Sequence, residues 1–193
     1  MTEASLDAPR QRLFDALCAL RPADDEERRH VESVLALVGA EARCFSRHVF
    51  TPGHLTGSAF IVDERGRLLL HHHRRLDRWL QMGGHDEGEY DPLRTALREA
   101  TEESGLASLE LAWEGILDVD VHAIPEGKKE PGHLHHDVRF LFRTRTPEAI
   151  VHDDSESKAL DFFALEEAER LLGDASAGRV VRKIRRILEN AGP

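Results

Sequence analysis

The strongest structural signal in the chain is GHDEGEYDPLRTALREATEESGL, at residues 84–106. Its second half predicts a helix, because Asp91 suits the N-cap, Pro92 suits the first turn and Gly105 suits the C-terminal stop. The helical spacing i, i+3, i+4, i+7 predicts one apolar face, made of Leu93, Ala96, Leu97 and Ala100. An adjacent face carries three carboxylates, those of Glu99, Glu102 and Glu103.

These three glutamates repel one another at a spacing of i, i+3 and i+4, which destabilises the helix unless a cation neutralises them. Carboxylate oxygens are the ligands that Mg²⁺ prefers in proteins, and Mn²⁺ shares that preference. A solvated acidic face is the commoner explanation of three helical glutamates. Here, however, they belong to a longer pattern with fixed gaps, so we predict a Mg²⁺ or Mn²⁺ site.

The longer pattern resembles the signature of the Nudix family, G-x5-E-x7-R-E-U-x-E-E-x-G-U, where U is aliphatic. Five residues separate Gly84 from Tyr90, and seven more lead to Arg98-Glu99-Ala100-Thr101-Glu102-Glu103-Ser104-Gly105-Leu106. Tyr90 is the departure, because the signature has its first glutamate there and a phenol is a poor metal ligand at neutral pH. Glu89 is adjacent, and the role of the first glutamate stays open.

This resemblance implies a metal-dependent hydrolase that cuts a phosphoanhydride bond in a nucleoside diphosphate derivative, by attack of a metal-activated water. It implies that the three glutamates bind metal and that one of them acts as the general base. It also implies that Arg98 orients Glu99 and that the backbone carbonyl of Gly83 contributes to the metal site. The implied fold is the Nudix-type α/β/α sandwich around a mixed sheet, which the order of predicted strands and helices also indicates.

The chain contains twelve histidines. Five candidate ligands stand out: His48, His54, His85, His135 and Asp137. The last two share a face of a predicted strand, because they are two residues apart. The set resembles the metal site of isopentenyl diphosphate isomerases, which share the Nudix fold, and implies a second site for Zn²⁺, Mn²⁺ or Fe²⁺. Each histidine taken alone is more simply explained as a surface or hydrogen-bonded side chain, and the run at 71–73 as a solvated strand end.

Two alternatives to the hydrolase follow from the same residues. The histidines favour an isomerase of allylic diphosphates, but the Arg-Glu-x-x-Glu-Glu cluster is complete here and Gly83 stands where those enzymes have a loop cysteine. Tyr90 favours a non-catalytic ligand-binding module that keeps the fold. We rank the hydrolase first.

Basic residues elsewhere suggest contacts to a small phosphorylated substrate. Arg74 and Arg75 are candidates to clamp phosphates, and Arg139 shares the strand face of the candidate ligands. The C-terminal helix has a basic face that we interpret as solvated; the alternative is an interface with an acidic partner or a second copy in a homodimer.

Composition limits the class of protein. The formal net charge of −10 argues against binding of a nucleic acid polymer, which needs a basic surface. Two cysteines without metal-type spacing predict neither a disulfide framework nor a zinc-binding cysteine cluster. No apolar run approaches the length of a membrane span, and no leader peptide is visible, so we expect a cytoplasmic protein with no membrane contact.

Hydrophobic periodicity predicts that residues 1–45 form a helical extension packed on the core, and the resemblance implies that residues 46–193 form the Nudix domain. Helices are predicted at 9–20, 24–39, 92–104, 165–172 and 178–190. Strands are predicted at 58–62, 67–71, 109–122, 134–143 and around 162–163, with loops after the glycines at 83–84 and at 125–132.

Overall fold

The computed structural model describes residues 6–128, 130–152 and 157–191. Its helices are α1 (Ala8–Ala19), α2 (Asp25–Ala40), α3 (Pro92–Ser104), a 3₁₀ turn (Pro147–Ala149), α4 (Leu165–Leu172) and α5 (Ala175–Ala191). Its strands are β1 (His54–Val62), β2 (Leu68–His73), β3 (Arg78–Leu80), β4 (Met82–His85), β5 (Glu110–Leu111), β6 (Asp118–Ile124), β7 (His133–Arg143) and β8 (Ser157–Phe163). In the part of the chain that is described, no helix is both long and apolar enough to cross a membrane.

One mixed sheet contains the strands, in the order β3-β2-β1-β7-β5. The central strands β1 and β7 pair in parallel, from His54 opposite His135 to Val62 opposite Arg143, while the other pairs are antiparallel. Strand β4 extends the sheet along the first half of β1, β6 lies along β7, and β8 lies along β2. This pairing brings the ends of β1, β4 and β7 together.

Helices cover both faces of the sheet, as the predicted sandwich requires. On one face Ala59 and Ile61 of β1 pack in a core that includes side chains of α1, α2 and α3. On the other face Phe60 and Val62 pack against α4 and α5. The alternation follows from the two-residue period of a strand, and burial on both faces explains why β1 has no exposed residue.

Several predicted strands differ from the observed ones. Strand β1 begins at residue 54 instead of 58, β3 and β4 lie in a stretch where no strand was predicted, and the predicted strand 109–122 is divided into β5 and β6. Strands β4 and β5 take their hydrogen bonds from β1 and β7, which are distant in the chain, so local sequence does not reveal them. The solvated strand end predicted at residues 71–73 is wrong for His71, which is 2% exposed and whose pKa burial lowers to about 4.

Helix α3 lies directly against the backbone of β1 at Gly57. A Cβ atom added there would overlap the carbonyl oxygen of Pro92 and come within 3.0 Å of the amide nitrogen of Ala96. Only glycine permits this approach, because both neighbours are backbone atoms that side-chain rotation cannot move. Gly57 therefore fixes the depth at which α3 sits on the sheet.

A buried ion network joins α5 and α2 to β6. Arg179 is 1% exposed, and it donates to both carboxylate oxygens of Asp118 at 2.8 and 3.1 Å and to Glu26 at 2.9 Å. Lys183 reaches Asp118 at 2.9 Å and the buried carboxylate of Glu27 at 2.5 Å. The prediction of a solvated basic face on the last helix is therefore wrong for Arg179 and Lys183, whose charges complete this network.

We predict that Gly57→Ala lowers the free energy of unfolding by about 1–3 kcal/mol, because the added methyl group forces α3 off the sheet. Gly39→Ala is the matched control, since a Cβ at Gly39 meets no atom within 4 Å. In a helix that control is expected to be neutral or to stabilise by up to about 1 kcal/mol. Urea unfolding of both variants measures this, and equal midpoints for Gly57→Ala and the wild type would contradict the close approach.

We predict that Arg179→Met lowers the free energy of unfolding by about 3 kcal/mol or more, because it leaves the charge of Asp118 buried with fewer partners. Arg182→Met, three residues along the same helix and exposed, is expected to change stability by less than about 0.5 kcal/mol. Guanidinium unfolding monitored by circular dichroism compares the two, and similar small losses in both would reject the network as a stabilising element.

Candidate functional site

The glutamate-bearing helix forms with the predicted caps. The Asp91 carboxylate accepts from the Leu93 amide at 3.0 Å, and Gly105 ends the helix with a φ of 71°. The helix buries Ala96 and Ala100 as predicted, whereas Leu97, predicted to be on the apolar face, is exposed. The cap and the buried alanines fix the rotation of the helix and thereby the direction of its polar face.

Arg98 organises that polar face. Its guanidinium donates from one nitrogen to both Glu99 and Glu102, at 3.0 Å each. A second nitrogen donates to the carbonyl oxygen of His85 at 2.7 Å, and Nε donates to Glu89 at 2.7 Å. Burial opposes the charge, but these carboxylates raise the pKa of Arg98 above its usual range. The predicted contact with Glu99 is thus part of a wider set that also joins α3 to β4.

Glu89, not Tyr90, contacts the arginine of the signature. The Glu89 carboxylate accepts from Arg98 and from the backbone amide of Glu87, and although burial opposes it, these bonds lower the pKa of Glu89. Tyr90 is 57% exposed, has a φ of 51° and packs edge-on against Phe45. The carboxylate that contacts Arg98 here is therefore that of Glu89, one residue before the position at which the signature has its first glutamate.

Two glycines of β4 receive the other carboxylates. The Gly83 amide donates to Glu103 at 3.0 Å. Next to it, a Cβ atom at Gly84 would overlap the carboxylate of Glu99. The glycine pair therefore lets the acidic face of α3 lie against the backbone of β4. Glu99 lies beside Gly84, Glu103 accepts from Gly83, and the side chain of Glu102 is 59% exposed.

A second cluster lies where β1, β4 and β7 meet, and it consists of histidines. One ring nitrogen from each of His54, His133 and His135 lies within 4.8 Å of the other two. The Nε2 atom of His85 lies 3.3 Å from Nε2 of His135. Parallel pairing places His54 opposite His135, and the alternation of β7 puts His133 on the same face.

The structure brings together three of the five predicted ligands of a second site. His54, His85 and His135 meet, whereas His48 is exposed in the loop before β1. Asp137 is buried and accepts from Thr56 at 2.9 Å, from Ser58 at 2.8 Å and from Arg139 at 2.9 Å.

Sequence reasoning missed His133, although its spacing of two from His135 was a usable signal. Burial lowers the pKa of His54, and it lowers that of His85 to about 4 and that of His135 to about 2. These three rings are therefore neutral near pH 7.

The three arginines predicted to contact substrate differ in environment. Arg139 is buried, pairs with Asp118, Asp120 and Asp137 and donates to Ser176. Arg74 and Arg75 are exposed in the turn between β2 and β3, where Arg74 donates to the carbonyl oxygen of Ser157 at 3.4 Å. The Arg139 environment is that of a structural ion pair, so only the two exposed arginines keep free surface for a substrate.

The chain is similar to proteins of known family. A family model described as the NUDIX domain matches residues 53–184. A probable DHNTP pyrophosphohydrolase of Lactococcus lactis subsp. cremoris is 34% identical over 117 residues, which are 60% of this chain and 65% of that protein. The chain therefore spans just under two thirds of the length of that relative.

Solved structures agree on the fold. A Caenorhabditis elegans Ap4A hydrolase in a binary complex superposes with a TM-score of 0.58 at 21% identity, covering 70% of this chain and 98% of that one. A NUDIX-family hydrolase of Clostridium perfringens gives 0.52 at 26% identity, covering 74% and 99%. The Nudix-type α/β fold predicted from the sequence is thereby confirmed. The division at residue 45 stays a prediction.

We predict that Glu89→Gln weakens the binding of Mn²⁺ about 10-fold, because Arg98 then competes more strongly for the carboxylates of Glu99 and Glu102. Tyr90→Phe removes only the phenol oxygen and is expected to leave the affinity unchanged. Titration of Mn²⁺ followed by electron paramagnetic resonance measures both. A loss of affinity in Tyr90→Phe but not in Glu89→Gln would assign the function of the first glutamate to the tyrosine position.

Proposed function

Because the chain belongs to the Nudix family, we propose that it is a metal-dependent hydrolase of a phosphoanhydride bond in a nucleoside diphosphate derivative. Family membership supports an enzyme that hydrolyses phosphorus-containing anhydrides. The observation that supports the finer proposal is the set of contacts around Arg98, which bonds Glu99, Glu102 and the carbonyl oxygen of His85 in β4. An acidic helix face held in this way is suited to cations beside a polyphosphate.

The donors present fit Mg²⁺ or Mn²⁺. They are carboxylate oxygens, which hard divalent ions prefer, and Gly84 leaves room for Glu99 where any larger residue would displace it. When bound, such an ion neutralises the diphosphate and lowers the pKa of a water molecule. The backbone carbonyl of Gly83, adjacent in β4 to the amide that holds Glu103, is a further proposed ligand.

Each residue of the site has a proposed task. Glu99 and Glu103 are held close to the glycine pair and serve as ligands. Glu102 is the most open of the three carboxylates and is also assigned as a ligand. One carboxylate of the trio accepts the proton of the attacking water. Arg98 positions Glu99 and Glu102, and its own charge offsets part of their mutual repulsion.

Binding of a small phosphorylated substrate is proposed to depend on local positive charge in an acidic chain. A chain with a formal net charge of −10 repels a free polyphosphate, so binding depends on local positive charge. Bound divalent ions supply that charge at the glutamates, and the exposed Arg74 and Arg75 are proposed to supply more. The relatives' names make a DHNTP-type triphosphate and Ap4A the first compounds to test. A cytoplasmic location and a homodimer stay predictions.

We predict that Glu103→Gln lowers turnover by about 100-fold or more, because a neutral amide binds a hard cation poorly. The assay measures release of phosphate, pyrophosphate or nucleoside monophosphate from Ap4A, dihydroneopterin triphosphate, nucleoside diphosphate sugars and NADH, with Mg²⁺ or Mn²⁺. Glu114→Gln, an exposed carboxylate outside the site, is the control and should retain full turnover.

Other outcomes separate the alternatives. Turnover that persists in Glu103→Gln, or that needs no divalent ion, would refute the proposed mechanism. Conversion of an isoprenyl diphosphate without release of phosphate would favour the isomerase. Saturable binding of these compounds without any turnover would favour the non-catalytic module.

A further inference from the structure

The histidine cluster defined by His54, His133 and His135, with His85 beside it, is not used by the proposed hydrolysis. Its members come from three strands. Their ring centroids lie 4.9–5.1 Å apart in five pairs: His54 with His85, His54 with His133, His54 with His135, His85 with His135 and His133 with His135. His54 is 1% exposed and His133 is 7% exposed. Buried imidazoles crowded in this way need partners for their polar nitrogens.

Backbone carbonyls fix the tautomers of two of these rings. Nδ1 of His54 lies 3.0 Å from the carbonyl oxygen of Val49, and Nδ1 of His133 lies 2.8 Å from that of Pro131. A carbonyl oxygen only accepts, so each Nδ1 carries the proton and each Nε2 carries a lone pair. Histidines that bind metals are commonly held by such a carbonyl on the distal nitrogen.

Both lone pairs are buried without a hydrogen-bond partner. The Nε2 atoms of His54 and His133 are shielded from solvent, and neither has a donor within reach among the described residues. A buried acceptor that has no hydrogen-bond partner destabilises the folded state. A single cation at the centre of the cluster would satisfy both at once, together with a nitrogen of His135.

The spacing of the nitrogens suits a tetrahedral transition metal. Zn²⁺ binds imidazole nitrogen at about 2.0–2.1 Å, which places two ligand nitrogens of a tetrahedron about 3.3 Å apart. The Nε2 atoms of His85 and His135 are 3.3 Å apart. The nitrogens of His54, His133 and His135 lie within 4.8 Å of one another, so small rotations of the rings would bring all three within bonding distance of one ion.

We infer that His54, His133 and His135 form a transition-metal site for Zn²⁺ or a similar imidazole-binding ion, with His85 placed to supply the fourth nitrogen. Neutral nitrogen donors make this site chemically different from the glutamates of α3, whose oxygens suit Mg²⁺ or Mn²⁺. The site joins the first residue of β1, the last residue of β4 and the start of β7. The ion therefore acts as a clamp across three strands.

This clamp is linked to the glutamate site through β4. The carbonyl oxygen of His85 accepts from Arg98 at 2.7 Å, and the amide of Gly83, two residues earlier, donates to Glu103. An ion that holds His85 therefore also holds the strand against which the glutamates lie. The two sites are separate in their ligands and share one structural support.

The direct test is Zn²⁺ binding to the full chain after removal of metals with a chelator. We expect one Zn²⁺ per chain that resists competition by excess Mg²⁺. X-ray absorption at the zinc edge should show a shell of imidazole nitrogens at about 2.0–2.1 Å. A shell of oxygen ligands alone, or no tight Zn²⁺, would overturn the inference without any variant being needed.

Variants assign the ligands. His54→Ala and His133→Ala should each weaken Zn²⁺ binding about 100-fold or more, since loss of a ligand exceeds the effect of losing a supporting contact. His48 is exposed and precedes β1 in the chain, so His48→Ala should bind Zn²⁺ as tightly as the wild type does. Glu103→Gln should also keep the Zn²⁺, which separates this result from the hydrolase test. Equal binding by His133→Ala and His48→Ala, with both folded by circular dichroism, would refute the ligand set.

Discussion

The parallel pairing of β1 with β7 is the constraint on which both clusters depend. Nine successive residue pairs hold the strands in one register, from His54 opposite His135 to Val62 opposite Arg143. A slip of one residue would turn every side chain to the other face of the sheet. The same register places Thr56 and Ser58 to bond Asp137, and it leaves the other edge of β1 free for β4. Helix α3 can then lie on Gly57 and present its glutamates to the glycines of β4.

Buried charge is the consequence of that register. The face that begins with His54 and His135 continues through Asp137 to Arg139, and β6 adds Asp118 and Asp120 alongside. Carboxylates cannot be buried there unpaired, because each loses its hydration. Arg139 and Arg179 neutralise them, and α5 is thereby tied to the sheet by charge as well as by its apolar stripe. The centre of the molecule is therefore polar on one strand face without being open to solvent.

The features that were predicted correctly from the sequence are those that residues close together in the chain determine. The limits of α3, its caps and its glutamates followed from the sequence around Pro92, and the family signature led to the fold. The short strand β4, the burial of His71 and the pairing of Arg179 did not follow, because each depends on a residue far away in the chain. Arg179 and Asp118 are separated by 61 positions, and nothing in a basic helix face identifies which of its cations are buried. His133 was missed for a different reason, since a spacing of two on β7 was visible but a partner on β1 was not.

The contacts of Arg98 compensate for the absence of the signature's first glutamate at residue 90. At residue 90 the chain has a left-handed turn with an exposed tyrosine, and the carboxylate one position earlier reaches the guanidinium instead. A carboxylate at residue 89 can replace one at residue 90 because the guanidinium of Arg98 has N–H donors that point in several directions. The same guanidinium donates to the carbonyl oxygen of His85, so Arg98 joins the glutamates of α3 to the strand that carries one histidine of the cluster. Both clusters therefore rest on the same strand, β4, while their ligands stay separate.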